Sequence, residues 1–161
     1  LLSFTIFYLS ASDESFYFII DTLSFSDTSS FSHLLEWIQA SITIIDNPLG
    51  IGLAMSGNAS SVDQAIKIGG ENQFLIYGVQ MGIITMIIFI LIMYKAIKDS
   101  ISLYKLSDGY EKELSFISGL TKFGLLIPLI TANAELYLFV SLFSWFLVGQ
   151  SQKLLLNYSK Q

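Results

Sequence analysis

From Phe74 to Tyr94 the chain runs 21 residues without a charged side chain. About 20 apolar residues in a helix, rising about 1.5 Å each, match the roughly 30 Å hydrocarbon core of a bilayer. This run predicts a membrane-spanning helix, closed by Lys95 and Lys98. The rest of the chain agrees with lipid as its solvent. Only 13% of the residues are charged and 53% are hydrophobic, whereas a soluble domain carries about 25% charge. Two further apolar stretches are separated by Ala132, Asn133 and Ala134. They predict a helical hairpin, with a single tilted span from Phe123 to Val148 as the competing reading. Leu1 to Leu9 is read as the outer end of a spanning helix whose beginning lies outside this sequence.

The predicted fold class is therefore all-α: a polytopic membrane protein with about four transmembrane segments, the first truncated. The expected parts are the helix end at 1–9, an extracytoplasmic loop at 10–73 with an interfacial helix at 33–46, and a transmembrane helix at 74–94. A cytoplasmic loop at 95–113, transmembrane helices at 114–131 and 135–150, and a cytoplasmic tail at 151–161 follow. Orientation comes from the lysines. Residues 10–73 hold eight acidic residues but one lysine, Lys67, while 95–113 holds Lys95, Lys98, Lys105 and Lys112. Basic loops favour the cytoplasm, so the acidic segment is expected outside. The net charge of -5 and the absence of arginine leave no basic stripe for nucleic acid. With no cysteine there is no disulfide or thiolate zinc site, and no metal-ligating cluster is visible.

Within the outer segment, His33 to Asp46 separates into two faces at helical spacing. Leu34, Leu35, Trp37, Ile38, Ile42, Ile44 and Ile45 fill one side, and His33, Glu36, Gln39, Thr43 and Asp46 the other. That pattern predicts an amphipathic helix lying in the membrane interface, with Ser32 as its N-cap. His33 and Glu36 are spaced to pair. His33 is either a sugar or phosphate contact with Trp37 as a stacking surface, or a solvated histidine beside an interface-anchoring tryptophan. Asn47-Pro48-Leu49-Gly50-Ile51-Gly52 predicts a tight turn, since the residue before proline leaves helical geometry. Its glycines match no nucleotide-binding fingerprint.

Glu71 and Asn72 stand at the mouth of the strong span. On an unbroken helix Glu71, Leu75, Gly78, Gly82 and Thr85 share a face, with Gly78 and Gly82 forming a GxxxG pair that admits a second helix closely. Either Glu71 is a carboxylate base for a sugar hydroxyl, or Glu71 and Asn72 cap the span. Lys67 is either a pyrophosphate contact or an ordinary surface lysine. Lys122 and Glu135 lie within apolar stretches, where charge is costly. Lys122 is expected to snorkel to the cytoplasmic side and Glu135 to sit at the outer turn.

In order along the chain, Ser32-His33-Leu34-Leu35-Glu36-Trp37, then Asn47-Pro48-Leu49-Gly50-Ile51-Gly52, then Glu71-Asn72, nine residues, Gly82, Ile83-Ile84 and Thr85 resemble the O-antigen ligase/polymerase family of bacterial membrane glycosyltransferases. The hairpin ending in Trp145, Leu147 and Gly149 is similar to that family's last two spans. His33 stands where the family carries a loop arginine, and Glu71 where its ligases carry histidine, which tilts the resemblance toward a polymerase. It implies a multi-pass protein of the bacterial cytoplasmic membrane. The implied function is polymerisation of lipid-linked repeat units in O-antigen, capsule or exopolysaccharide synthesis. The donor would be a polyprenyl-pyrophosphate-linked oligosaccharide, with Glu71 as base and His33, Trp37, Asn72 and Lys67 contacting substrate. Asn47, Pro48, Gly50, Gly52, Gly78 and Gly82 would be structural. The family implies no cofactor or metal, and as partners the bilayer, with a flippase and a chain-length regulator of the same pathway. A ligase, or a non-enzymatic transport or export component, is the alternative.

Overall fold

The computed structural model describes residues 28–57 and 68–158, preceded by Tyr17, Ile20, Asp21, Ser24 and Ser26. Helix accounts for 80% of the structure, and no strand occurs among the described residues. The first predicted segment, 1–9, lies outside the described residues, as does Lys67.

Helix α1 runs over Thr28–Asp46. It begins ahead of His33, so Ser32 is not its N-cap: the Ser32 hydroxyl donates back to Thr28 O at 2.9 Å, inside the helix. Pro48 ends it, because the preceding Asn47 is pushed out of helical geometry. The edge that packs on the protein is Ala40, Thr43 and Ile44. Ile38, Ile42 and Ile45 face outward. The amphipathic division of the sequence places Thr43 on the polar side. It is nonetheless buried, since its hydroxyl is satisfied by Gln39 O at 2.8 Å.

The expected single span Phe74 to Tyr94 is instead two helices, α2 at Gln73–Met81 and α3 at Ile83–Leu106. The break is Gly82, with φ +89°, a conformation that favours glycine. An unbroken helix would pair the Val79 and Gln80 carbonyls with the amides of residues 83 and 84. Here Val79 O accepts from Ile51 N at 2.8 Å and Gln80 O from Gly52 N at 3.1 Å, while Ile83 N donates to Pro48 O at 3.0 Å. The Asn47–Gly52 turn thus satisfies the groups that the break exposes, as buried backbone requires. The fit is tight in both directions. A Cβ on Gly50 would lie 2.5 Å from Gln80 O, and one on Gly82 2.5 Å from Pro48 O. Gly78 and Gly82 therefore do not form one helical face. Only Gly78 admits a helix, α1, whose Ile44 Cδ1 lies 2.6 Å from where its Cβ would be.

Helix α3 continues to Leu106, so the expected loop 95–113 shrinks to Ser107 and Asp108 before α4 at Gly109–Gly124. A short α5, Leu126–Thr131, follows a turn at Leu125. Pro128 explains that turn, because its ring clashes with the carbonyl four residues back, at Gly124. Together Gly109–Thr131 is a helical stretch of 23 residues long and apolar enough to cross a membrane. After a 3-10 turn at Ala134–Leu136, α6 covers Leu138–Tyr158, past the predicted end at 150.

Helices α3, α4 and α6 pack side by side, with α2 on α3 and α1 on α2. Phe89, Met93, Leu129 and Ala134 form one core cluster, sealed by Phe74, Tyr77 and Trp145. Tyr77 meets Phe89 edge-on at 4.7 Å. Ala40, Ile44 and Val79 form a second beneath α1. The long-helix interface is unlike a soluble core. Ser100, Ser115, Ser118, Ser144 and Ser151 are buried in it, whereas Ile87, Ile88, Leu91, Phe116, Leu120, Phe123, Leu142 and Phe146 are exposed. Ser100 Oγ donates to Ser118 Oγ at 3.1 Å across α3 and α4, and a Cβ on Gly119 would lie 3.2 Å from Ser100 Cβ.

Candidate functional site

Two polar clusters lie near the α1–α2 end. The first gathers residues singled out in the sequence. His33 Nδ1 meets Glu36 Oε2 at 3.1 Å, as their spacing allows. Glu36 O accepts from Gly69 N at 3.2 Å, and the Glu36 carboxylate lies over Gly70, where a Cβ would collide with it. Gly70 has φ +52°, so glycine serves both the turn and the close approach. Glu71 follows directly, half-buried in a turn rather than on the first turn of a helix. Asn72 is the N-cap of α2: its Oδ1 accepts from Phe74 N and Leu75 N, both at 3.1 Å. Its side-chain oxygen is thereby committed to the helix terminus, the capping alternative weighed above. Trp37 is half-buried on α1.

The second cluster was not assembled from the sequence. A pocket of about 120 Å³ opens between α2, the Ser56–Gly57 loop end and the Asn133–Leu136 turn. On α2, Gln73, Ile76, Tyr77 and Gln80 line it, positions that helical periodicity places on one face. Gln80 Nε2 donates to Ser56 O at 3.2 Å, fixing one wall. Gln73 is only 3% exposed and Asn133 8%, yet Gln73 Oε1 and Asn133 Oδ1 have no hydrogen-bond partner. Buried amide oxygens without partners are uncommon, because each costs its desolvation.

Glu135, at the pocket edge, is held from behind. Its Oε2 accepts from Trp145 Nε1 at 2.9 Å and Ser141 Oγ at 3.0 Å. Its Oε1 lies 3.5 Å from Lys122 Nζ. Lys122 is fully buried. Its ammonium also donates to Ser144 Oγ at 3.0 Å and sits 3.4 Å from the centre of the Trp145 ring. It does not snorkel toward the α4 N-terminus, because a carboxylate, a hydroxyl and an aromatic face lie within reach, and a buried charge persists only when paired. The pair leaves this corner neutral overall.

None of the residues singled out from the sequence as catalytic, substrate-binding or motif positions lines the pocket. Gln73 and Asn133 were legible only as polar residues bounding apolar runs, while Lys122 and Glu135 stood out as the charges within residues 114–150. Chemically, the first cluster offers the Glu36 carboxylate beside an imidazole, a pairing suited to proton transfer. The second offers hydrogen-bond acceptors in a neutral, half-apolar recess, suited to binding. Among the described residues no group of histidines and carboxylates could hold a metal ion. No protein-family model, curated protein or solved structure matches this chain.

Proposed function

We propose that this protein is a multi-pass component of the bacterial cytoplasmic membrane that polymerises lipid-linked oligosaccharide repeat units by glycosyl transfer on the outer face. The observation that carries this reading is the pairwise contact, at the two ends of α2, of the segments that bear the family resemblance. Ser32–Trp37 is joined to Gly69–Asn72 through the Glu36 carbonyl and carboxylate. Asn47–Gly52 is joined to Gly82 by backbone hydrogen bonds on both sides of the break. Segments far apart in sequence thus interlock pairwise. The membrane reading is supported by Gly109–Thr131, and by helices that bury serines and turn large apolar side chains outward. Small and hydroxyl residues at close helix contacts, with apolar surface facing out, suit lipid as the surroundings.

In the proposed reaction the hydroxyl of an acceptor sugar attacks the anomeric carbon of the donor. The bond from that carbon to the pyrophosphate oxygen breaks, and the polyprenyl pyrophosphate leaves with the electron pair. The hydroxyl proton passes to Glu71, in the turn directly after Gly70, over which the Glu36 carboxylate lies. Orientation and proton removal are the contributions asked of the protein. His33 and Trp37 are assigned to substrate contacts, as is Lys67 from its position in the sequence, while Asn72 is left to its role as the α2 cap. The decisive experiment replaces Glu71 by Gln and by Asp and reads glycan chain length at matched protein level. The Gln variant should make single-unit glycans and the Asp variant short chains. Normal chain length in Glu71→Gln cells would remove the base role.

A further inference from the structure

We propose that the pocket between α2 and the Asn133–Leu136 turn is a binding site for a neutral, hydroxyl-bearing sugar ring, held by the side-chain amides of Gln73 and Asn133. Two amide oxygens, each on a residue more than nine-tenths buried, have no partner within the protein. Such groups are retained when a ligand completes them. The volume of about 120 Å³ exceeds the roughly 30 Å³ share of one water, and its scale is that of a single ring rather than a whole oligosaccharide.

The lining then selects the chemistry. The Glu135 carboxylate at the pocket edge presents lone pairs, so a phosphate or carboxylate ligand would be repelled. A cation gains little, because the Glu135 charge is already balanced by Lys122 at 3.5 Å. Hydroxyls both donate and accept, so they satisfy side-chain amides, which offer a donor and an acceptor at their two ends. Ile76, Leu136 and the Tyr77 ring supply the apolar wall that the C–H face of a pyranose needs. Chemistry alone gives a neutral polyol. Its identification as a ring of the lipid-linked glycan rests on the glycosyl-transfer reading.

Trp145 provides an internal reporter, since its indole N–H bonds the Glu135 carboxylate at the pocket edge. The full chain, purified in detergent with 5-fluorotryptophan, should give two ¹⁹F resonances, from Trp37 and Trp145. Methyl glycosides of glucose, galactose and N-acetylglucosamine are titrated separately, with sodium chloride and inorganic phosphate as further arms. At least one glycoside should shift the Trp145 resonance saturably. Gln73→Met and Asn133→Leu, near-isosteric and apolar, should weaken that binding by about tenfold each. Both should keep or raise the melting temperature, because an unpartnered buried oxygen is removed. The proposal is overturned by no saturable shift with any glycoside, by equal affinity in both variants, or by a variant-sensitive response to sodium or phosphate instead. Glycoside binding together with normal chain length in Glu71→Gln cells overturns only the glycosyl-transfer reading. Loss of polymer in Glu71→Gln cells without glycoside binding overturns only this one.

Discussion

Replacing Lys122 by Met keeps the length of the side chain and deletes its charge, which isolates the buried ion pair. Three partners are lost at once: Glu135 Oε1 at 3.5 Å, Ser144 Oγ at 3.0 Å and the Trp145 ring at 3.4 Å. Removing one member of a buried pair costs about 3–5 kcal/mol, mainly because the other charge is left uncompensated. The low end applies here. Glu135 keeps the Ser141 and Trp145 donors, and its side chain is 9% exposed rather than sealed. A loss of about 3 kcal/mol corresponds to a fall in melting temperature of roughly 6–12 °C for a chain of this size. Glu135→Gln should cost a similar amount, since it strands a fully buried ammonium. The double variant Lys122→Met/Glu135→Gln should recover to within about 1 kcal/mol of the native protein, because no unpaired charge remains. The assay is reversible unfolding in mixed micelles followed by Trp fluorescence, run as a double-mutant cycle. A cost below about 1 kcal/mol for Lys122→Met, with coupling below about 0.5 kcal/mol, would refute the argument: the ammonium would then reach solvent or headgroups and the pair would not exist.

The glycines give a rank order. Gly82→Ala forces a side chain into φ +89° and against Pro48 O, so it should cost about 2–3 kcal/mol. Gly78→Ala meets side-chain atoms of Ile44 and Met86 rather than backbone and should cost about 1 kcal/mol. Equal melting temperatures for the two variants would contradict the interlocked turn. Asn72→Ala removes the α2 cap and should lower stability by about 1 kcal/mol with glycan chain length unchanged. Single-cysteine variants at Leu53 and Asp108, both exposed, should be labelled in intact cells by an impermeant maleimide at 53 and not at 108. The reverse pattern would invert the membrane orientation.

Much of this fold was open to reading. The charge-free run, the apolar stretches around Ala132–Ala134 and the two-faced His33–Asp46 segment announced helices, because helical periodicity and length are local properties. The boundaries were not legible in the same way. Ile83–Met93 is rich in β-branched residues that favour strands in water, so nothing local marked how far α3 would run beyond Lys95. Its continuation through Lys95 and Asp99 rests on their ion pair at 2.7 Å and on Gln152 of α6, which donates to the same Asp99 oxygen at 3.3 Å. That second contact is tertiary and leaves no trace in spacing. Pro128 was visible as a residue, but its effect is to bend a helix rather than end it. The reach of Lys122 to Glu135 also depended on the hairpin closing.

The helical face expected to run from Glu71 through Gly78 to Gly82 fails for a related reason. Counting an unbroken helix from Glu71 selected the face with Leu75, Gly78 and Gly82, and that count fails at Gly82, where the chain leaves the helix. Where α2 does persist, Gly78 and its neighbour Val79 are buried against Ile44 of α1, so the glycine face is spent on packing. The face with Gln73, Tyr77 and Gln80 is the one left to the pocket. The break is what permits this division. A straight helix would satisfy its own Val79 and Gln80 carbonyls and have no use for the Asn47–Gly52 turn. Once bent, it needs that turn, and the turn draws the end of α1 onto the glycine side. A glycine that looked like half of a helix-dimerisation pair acts instead as the hinge that assigns one side of α2 to structure and the other to ligand.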